Sequence, residues 1–175
     1  MADNENSNKK EDLSTRIQKI GERLERLNNL HNGLSLYDLK LFTKVTKFID
    51  KAEFDDGRDI TWEDIEFAQS ELMLAEEVKE LLDATKNKDK REVLDGALDV
   101  MFIAFGIALK VLRVDGHNFS TANDNAVIGF DRVCESNLSK INPDGTVTKE
   151  NGKIVKPKGY HKPYFDDLFN DPDNE

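Results

Sequence analysis

Residues 74–114 read LAEEVKELLDATKNKDKREVLDGALDVMFIAFGIALKVLRV, and this stretch decides the fold. Glu76, Glu77 and Glu80 stand at spacings that lay Glu80 beside both of the others on one helical face. The polar run Lys86–Lys90 predicts a loop. A second helix is expected over about residues 91–114, with Asp95 and Asp99 one turn apart and Glu92 just before them. Like charges at these spacings repel unless a cation is shared. Two helices joined by a short loop pack antiparallel, so the two acidic clusters can face each other.

Asp99 carries most of the weight. It is the only charged residue between Gly96 and Leu109, flanked by Leu98, Val100, Met101 and Phe102. Burying a carboxylate on so apolar a helix is costly unless it is paired or bound to metal. Its own helix offers no cation within a turn, since Arg91 and Lys110 are too far along it. Oxygen-only ligands favour Mg²⁺, Mn²⁺ or Ca²⁺ over zinc. The bland alternative is a solvated charged face, the fate of most charge runs. A di-iron carboxylate bundle would need Glu-x-x-His pairs, and His31, His117 and His161 all fall outside the acidic helices, where surface positions are expected.

Outward from this pair, the pattern stays helical. Residues 1–12 (MADNENSNKKED) lack large apolar side chains, which predicts a disordered tail. Leu13, Ile17, Ile20, Leu24 and Leu27 then form a narrow stripe, giving an amphipathic helix over 13–34, either packed on the domain or used in subunit contact. Residues 35–140 are expected to hold the main bundle. It opens with a helix over about 36–52, carrying Leu41, Phe42, Val45, Phe48 and Ile49 on one face. Thr61 is a good N-cap, with Ile60 and Ile65 as a hydrophobic staple, for a helix expected to continue to about residue 85. Trp62 beside it reads as a packing residue. The helix over 91–114 is the most apolar and so should be the most buried, and a last helix is expected over about 123–136. In 141–175, Asn151-Gly152 predicts a small hairpin, and Pro157–Pro163 reads as a strap over the helices.

The chain has 175 residues, enough for one real core, with 34% charged and 38% hydrophobic residues. Its formal net charge of −10 argues against gripping nucleic-acid backbones. A lone cysteine, Cys134, allows no intrachain disulfide and fits a reducing compartment. The polar start offers no signal peptide, and Gly96–Leu109 is too short to span a membrane, so a cytoplasmic location is expected.

The run Leu74–Glu80 followed by Leu94–Phe102 resembles the MazG-like, or phosphoribosyl-ATP-pyrophosphatase-like, group, whose hallmark is E-x-x-E, a spacer, and E-x-x-D on the next helix. Glu77 and Glu80 match the first pair, Glu76 an extra glutamate, and Asp99 the final aspartate. Gly96 stands where the second acid is expected, and Asp95 lies one residue earlier, a D-x-x-x-D form that resembles a phage and bacterial subgroup. Val133–Lys140, Asp144-Gly145 and Gly152–Tyr160 resemble the same subgroup's downstream segment and its tail.

The resemblance implies an antiparallel all-α bundle that hydrolyses nucleoside triphosphates, dNTPs above all, to the monophosphate and pyrophosphate, clearing the nucleotide pool. It implies Mg²⁺, with Mn²⁺ as substitute, held by Glu76, Glu77, Glu80, Asp95 and Asp99. Glu76 or Glu77 would direct the attacking water, and Asn137, Lys140, Lys153 and Lys156 would contact the nucleotide. A homodimer or homotetramer is expected. Two alternatives remain open at this point. One is a phosphoribosyl-ATP pyrophosphohydrolase. The other is a non-catalytic, metal-binding helical oligomer.

Overall fold

Local capping chemistry starts and stops the helices. The computed structural model describes residues 36–54 and 57–170, with the backbone alone for 36–40. The tail expected over 1–12 and the helix expected over 13–34 lie outside the described residues, as does His31. The chain divides into two compact units, Met1–Lys40 and Leu41–Glu175, and the acidic helices belong to the second.

Helix α1 (Leu36–Glu53) buries Val45 and Ile49 and stacks Phe42 on Phe105, with ring centroids 4.4 Å apart. At its last turn Glu53 meets Lys110 at 2.6 Å. Lys110 is only 2% exposed, so the ion pair is what makes that burial tolerable. Helix α2 (Trp62–Gln69) opens on Thr61, whose backbone N–H and hydroxyl both donate to the Asp64 carboxylate. The expected staple residues, Ile60 and Ile65, are both buried. Trp62, expected to pack, lies outside the core at 62% exposure.

The helix expected to run unbroken to about residue 85 is instead two helices. Ser70 ends α2 in an extended conformation, its hydroxyl accepting from the Leu72 N–H while its carbonyl accepts from Met73 and Ala75. A serine hydroxyl offers the backbone a local alternative to the helical ladder, and here that alternative wins. Helix α3 (Leu74–Asn87) restarts beyond the break and ends at Lys88 in the left-handed region. Asp89 then caps α4 (Lys90–Val114), its side chain accepting from the N–H groups of Arg91 and Glu92. Helix α5 (Phe119–Leu138) starts earlier than expected because Asn118 caps it, accepting from the Thr121 N–H.

Core and surface divide α4 in half. Phe105, Gly106, Leu109 and Leu112 are buried, whereas Leu94, Leu98 and Met101 of the first half are exposed. The most apolar helix is therefore not the most buried along its whole length. Its apolar stripe is covered by the other described helices only near its C-terminal end.

Beyond α5 a two-residue turn, Asn151-Gly152, with positive φ at both positions, joins strands β1 (Lys149–Glu150) and β2 (Lys153–Ile154). That is the backbone such a hairpin requires. The segment after it returns along α5 as the expected strap. Ser136 donates to the His161 carbonyl, Arg132 pairs with Asp167 and donates to the Tyr164 carbonyl, and Asn125 donates to the Leu168 carbonyl. His117 joins this network within 2.9 Å of the same Leu168 carbonyl, so it is a largely buried strap contact and not the surface residue expected. The fold is all-α with one small hairpin. Among the described residues no helix is long and apolar enough to cross a membrane.

Candidate metal and nucleotide site

The site begins with a missing side chain. A Cβ added at Gly96 would lie 3.2 Å from the Leu81 Cβ and 3.3 Å from its Cα. Glycine at this position lets α4 approach the backbone of α3. The two helices pack along each other, and the groove between them has a volume of about 330 Å³. Glu77, Glu80 and Asp83 from α3 line it opposite Glu92, Asp95 and Asp99 from α4, with Asp89 and Asn87 at the connecting end.

Four of the five expected acids, Glu77, Glu80, Asp95 and Asp99, therefore share one groove. Glu76 does not line it, although its charge is felt there. Glu92, Asp83 and Asp89 are additional acids in the groove that motif matching did not assign. Of these, Glu92 was visible in the sequence one turn before Asp95, whereas Asp83 and Asp89 became relevant only once the connection folded. Asp99 is exposed, contrary to the expectation that an apolar helix would bury it. Because the groove side of α4 is open, the carboxylate avoids desolvation by facing it.

The electrostatics are one-sided. Glu77 is held above the ordinary glutamate value, first by desolvation and then by the charges of Asp99, Glu80, Glu76 and Asp95. Neither Glu77 nor Glu80, Asp95 or Asp99 forms a salt bridge among the described residues. An all-oxygen donor set under mutual repulsion is the chemistry that accepts a hard divalent cation. The side chains are nonetheless spread along the groove, and no three Asp, Glu, His or Cys among the described residues form a ready-made ligand set. The donor types fit such a cation, and their convergence would require rotamer changes.

Residues 43–117, from α1 through the end of α4, match the family model described as phosphoribosyl-ATP pyrophosphohydrolase. Over that segment, less than half of the 175 residues, the chain is similar to this family. The whole acidic groove lies inside that match, while α5, the hairpin and the strap lie outside it. No curated protein and no solved structure matches the chain significantly.

The residues expected to contact nucleotide are not groove residues. Asn137 and Lys140 sit together at the end of α5, where the Lys140 Nζ donates to the Asn137 Oδ1 at 2.6 Å and the Asn137 amide donates to the Val133 carbonyl. Lys156 lies in the strap, its Nζ 4.6 Å from the centre of the Tyr160 ring. Lys153 is an exposed residue of β2.

Proposed function

We propose that this chain is a divalent-metal-dependent nucleoside-triphosphate pyrophosphohydrolase, acting on dNTPs and releasing the monophosphate and pyrophosphate. The observation that carries this reading is the acidic groove between α3 and α4, which lies wholly within the pyrophosphohydrolase match. Glu77, Glu80, Asp95 and Asp99 would hold Mg²⁺, or Mn²⁺ in its place, with Glu76 at the edge of the set. When bound, the cation supplies charge neutralisation for the triphosphate and polarises the attacking water. Glu77, raised first by desolvation and then by its acidic neighbours, or else Glu76, would orient that water and take its proton. Attack at the α-phosphorus breaks its bond to the bridging oxygen, and pyrophosphate leaves. Asn137, Lys140, Lys153 and Lys156 are the residues proposed to meet the nucleotide.

A second substrate, phosphoribosyl-ATP, is favoured by the description of the matched family. The partner proposed is a second copy of this chain, as a homodimer or homotetramer. Val78 and Leu82 of α3, with Leu94, Leu98 and Met101 of α4, leave apolar surface on the two helices that also form the groove.

The deciding experiment measures pyrophosphate release with Mg²⁺ from canonical and modified NTPs and dNTPs and from phosphoribosyl-ATP. Release by the wild type is expected to fall at least a hundredfold, on the order of 3 kcal/mol of barrier, in Asp99→Ala and in Glu80→Ala. Folded protein that binds Mg²⁺ but turns over nothing would instead support a non-catalytic metal-binding oligomer.

A further inference from the structure

Two phenyl rings stand where the acidic groove runs out. The period of α4 puts Asp95, Asp99, Phe102, Gly106 and Leu109 on one face of that helix. The N-terminal part of this face carries the two aspartates that line the groove. Its C-terminal part lies under α1. Phe42 stacks on Phe105, a Cβ added at Gly106 would lie 2.8 Å from the Ile49 Cδ1, and Glu53 pairs with Lys110. Phe48 of α1 meets Phe102 between the two parts, with ring centroids 5.5 Å apart and planes at 71°. Phe102 follows Asp99 by three residues, so the two Cβ atoms are neighbours, roughly 5–6 Å apart, on the same side of the helix. The ring pair is therefore tied to the Asp99 end of the groove through α4 itself.

Phe48 is held in place but not covered. Val45 and Ile49 beside it are buried and dock α1, and Phe102 meets it edge to face, yet Phe48 is 56% exposed. A single exposed apolar side chain is ordinary on a protein surface, and position is what singles this one out. Neither ring carries a hydrogen-bonding group, so the pair can recognise a flat apolar face and nothing finer. Every nucleobase presents such a face, and purines present the larger one. Only the sugar separates a base from its α-phosphate, a gap on the scale of one helical turn, about 5.4 Å. A triphosphate held by metal beside Asp99 thus carries its base to the level of these rings.

We propose that Phe48, held edge-on by Phe102, stacks on the nucleobase of the substrate and selects purine over pyrimidine nucleotides by stacking area. The assignment rests on the triphosphate-hydrolase reading and names its substrate class. The exocyclic groups of a base hydrogen-bond in its plane, whereas the rings touch its face. Recognition of this kind accepts a purine whose amino group has been replaced by a keto group.

The test is calorimetric titration of the full chain, with Mg²⁺, by the α,β-imido analogue of dATP and by tripolyphosphate, alongside kinetics with dATP, dITP and dCTP. Phe48→Ala is expected to weaken the dATP analogue about tenfold and to leave tripolyphosphate, which has no base, unchanged. The same variant should raise KM for dATP and dITP about tenfold, with a smaller effect on dCTP and little change in kcat. Phe48→Trp keeps a stacking face, so it should retain the wild-type affinity and guards against a folding defect. Unchanged affinity for the analogue in folded Phe48→Ala overturns the stack. So does an equal loss of analogue and tripolyphosphate, which would make Phe48 a packing residue of the groove. Preference of the wild type for dCTP over dATP overturns the purine selectivity. Phe48-dependent binding of the analogue without hydrolysis of any triphosphate would leave the stack standing and remove the enzymatic reading. Intact hydrolysis with Phe48-independent binding would do the reverse.

Discussion

At the scale of single residues, Asp64 and Asp99 show how context sets the cost of a carboxylate. Asp64 accepts two hydrogen bonds from Arg58 and two from Thr61, and its carboxyl is lowered from 3.8 to about 2, chiefly by the guanidinium. A group whose pKa is depressed by folding stabilises the protein in its ionised form. The contribution is present above the unfolded value and is lost as pH falls toward the folded one. Asp64→Asn is therefore expected to cost about 2 kcal/mol near neutral pH, with the deficit shrinking between pH 3.8 and about 2. Urea unfolding across that range checks this, and a deficit independent of pH would count against it. Asp99 has no cation beside it in the described structure, and exposure is what makes its charge tolerable. Its sequence neighbours marked it as unusual, but they could not show that its helix is bare on that side.

At the scale of elements, the spacing of α3 and α4 is set by Gly96. Mutation to alanine would add helix propensity of about 1 kcal/mol but place a Cβ 3.2 Å from Leu81. A larger residue has no such offset. Gly96→Val is expected to destabilise the chain by about 1–3 kcal/mol, as overpacking does, and to lower activity by widening the acidic groove. A variant as stable and as active as the wild type would show that this contact does not set the helix spacing. Periodicity made α1, α3 and α4 legible, and the Asn-Gly turn made the hairpin legible. The break at Ser70 was not, because one hydroxyl bonding to Leu72 decides between ladder and turn while the apolar pattern runs on across it. The start of α5 at Asn118 was missed because a cap residue signals only when it is read together with the N–H it accepts.

At the scale of the whole molecule, the exposed apolar stripe is the main unsatisfied feature. Leu94 and Leu98 are 62% and 50% exposed, on the helix whose other half forms the core. If a second copy covers them, Leu98→Asp should shift the assembly toward monomer and reduce pyrophosphate release together with it. Light scattering coupled to gel filtration reads the first effect, and a wild type that is monomeric at working concentration would remove the oligomer proposal.

The sequence by itself determined the all-α class, the hairpin and the acids of the two central helices, because helical period, turn chemistry and charge spacing act over a few residues. Only the tertiary structure decided that Glu92, Asp83 and Asp89 join those acids in one groove, that Glu76 stays at its edge, and that the strap brings Lys156 and Tyr160 to the end of α5. These outcomes depend on which faces meet across helices and on how far a missing side chain lets two backbones close. No local pattern carries that information, because it is set by packing between segments far apart in the chain.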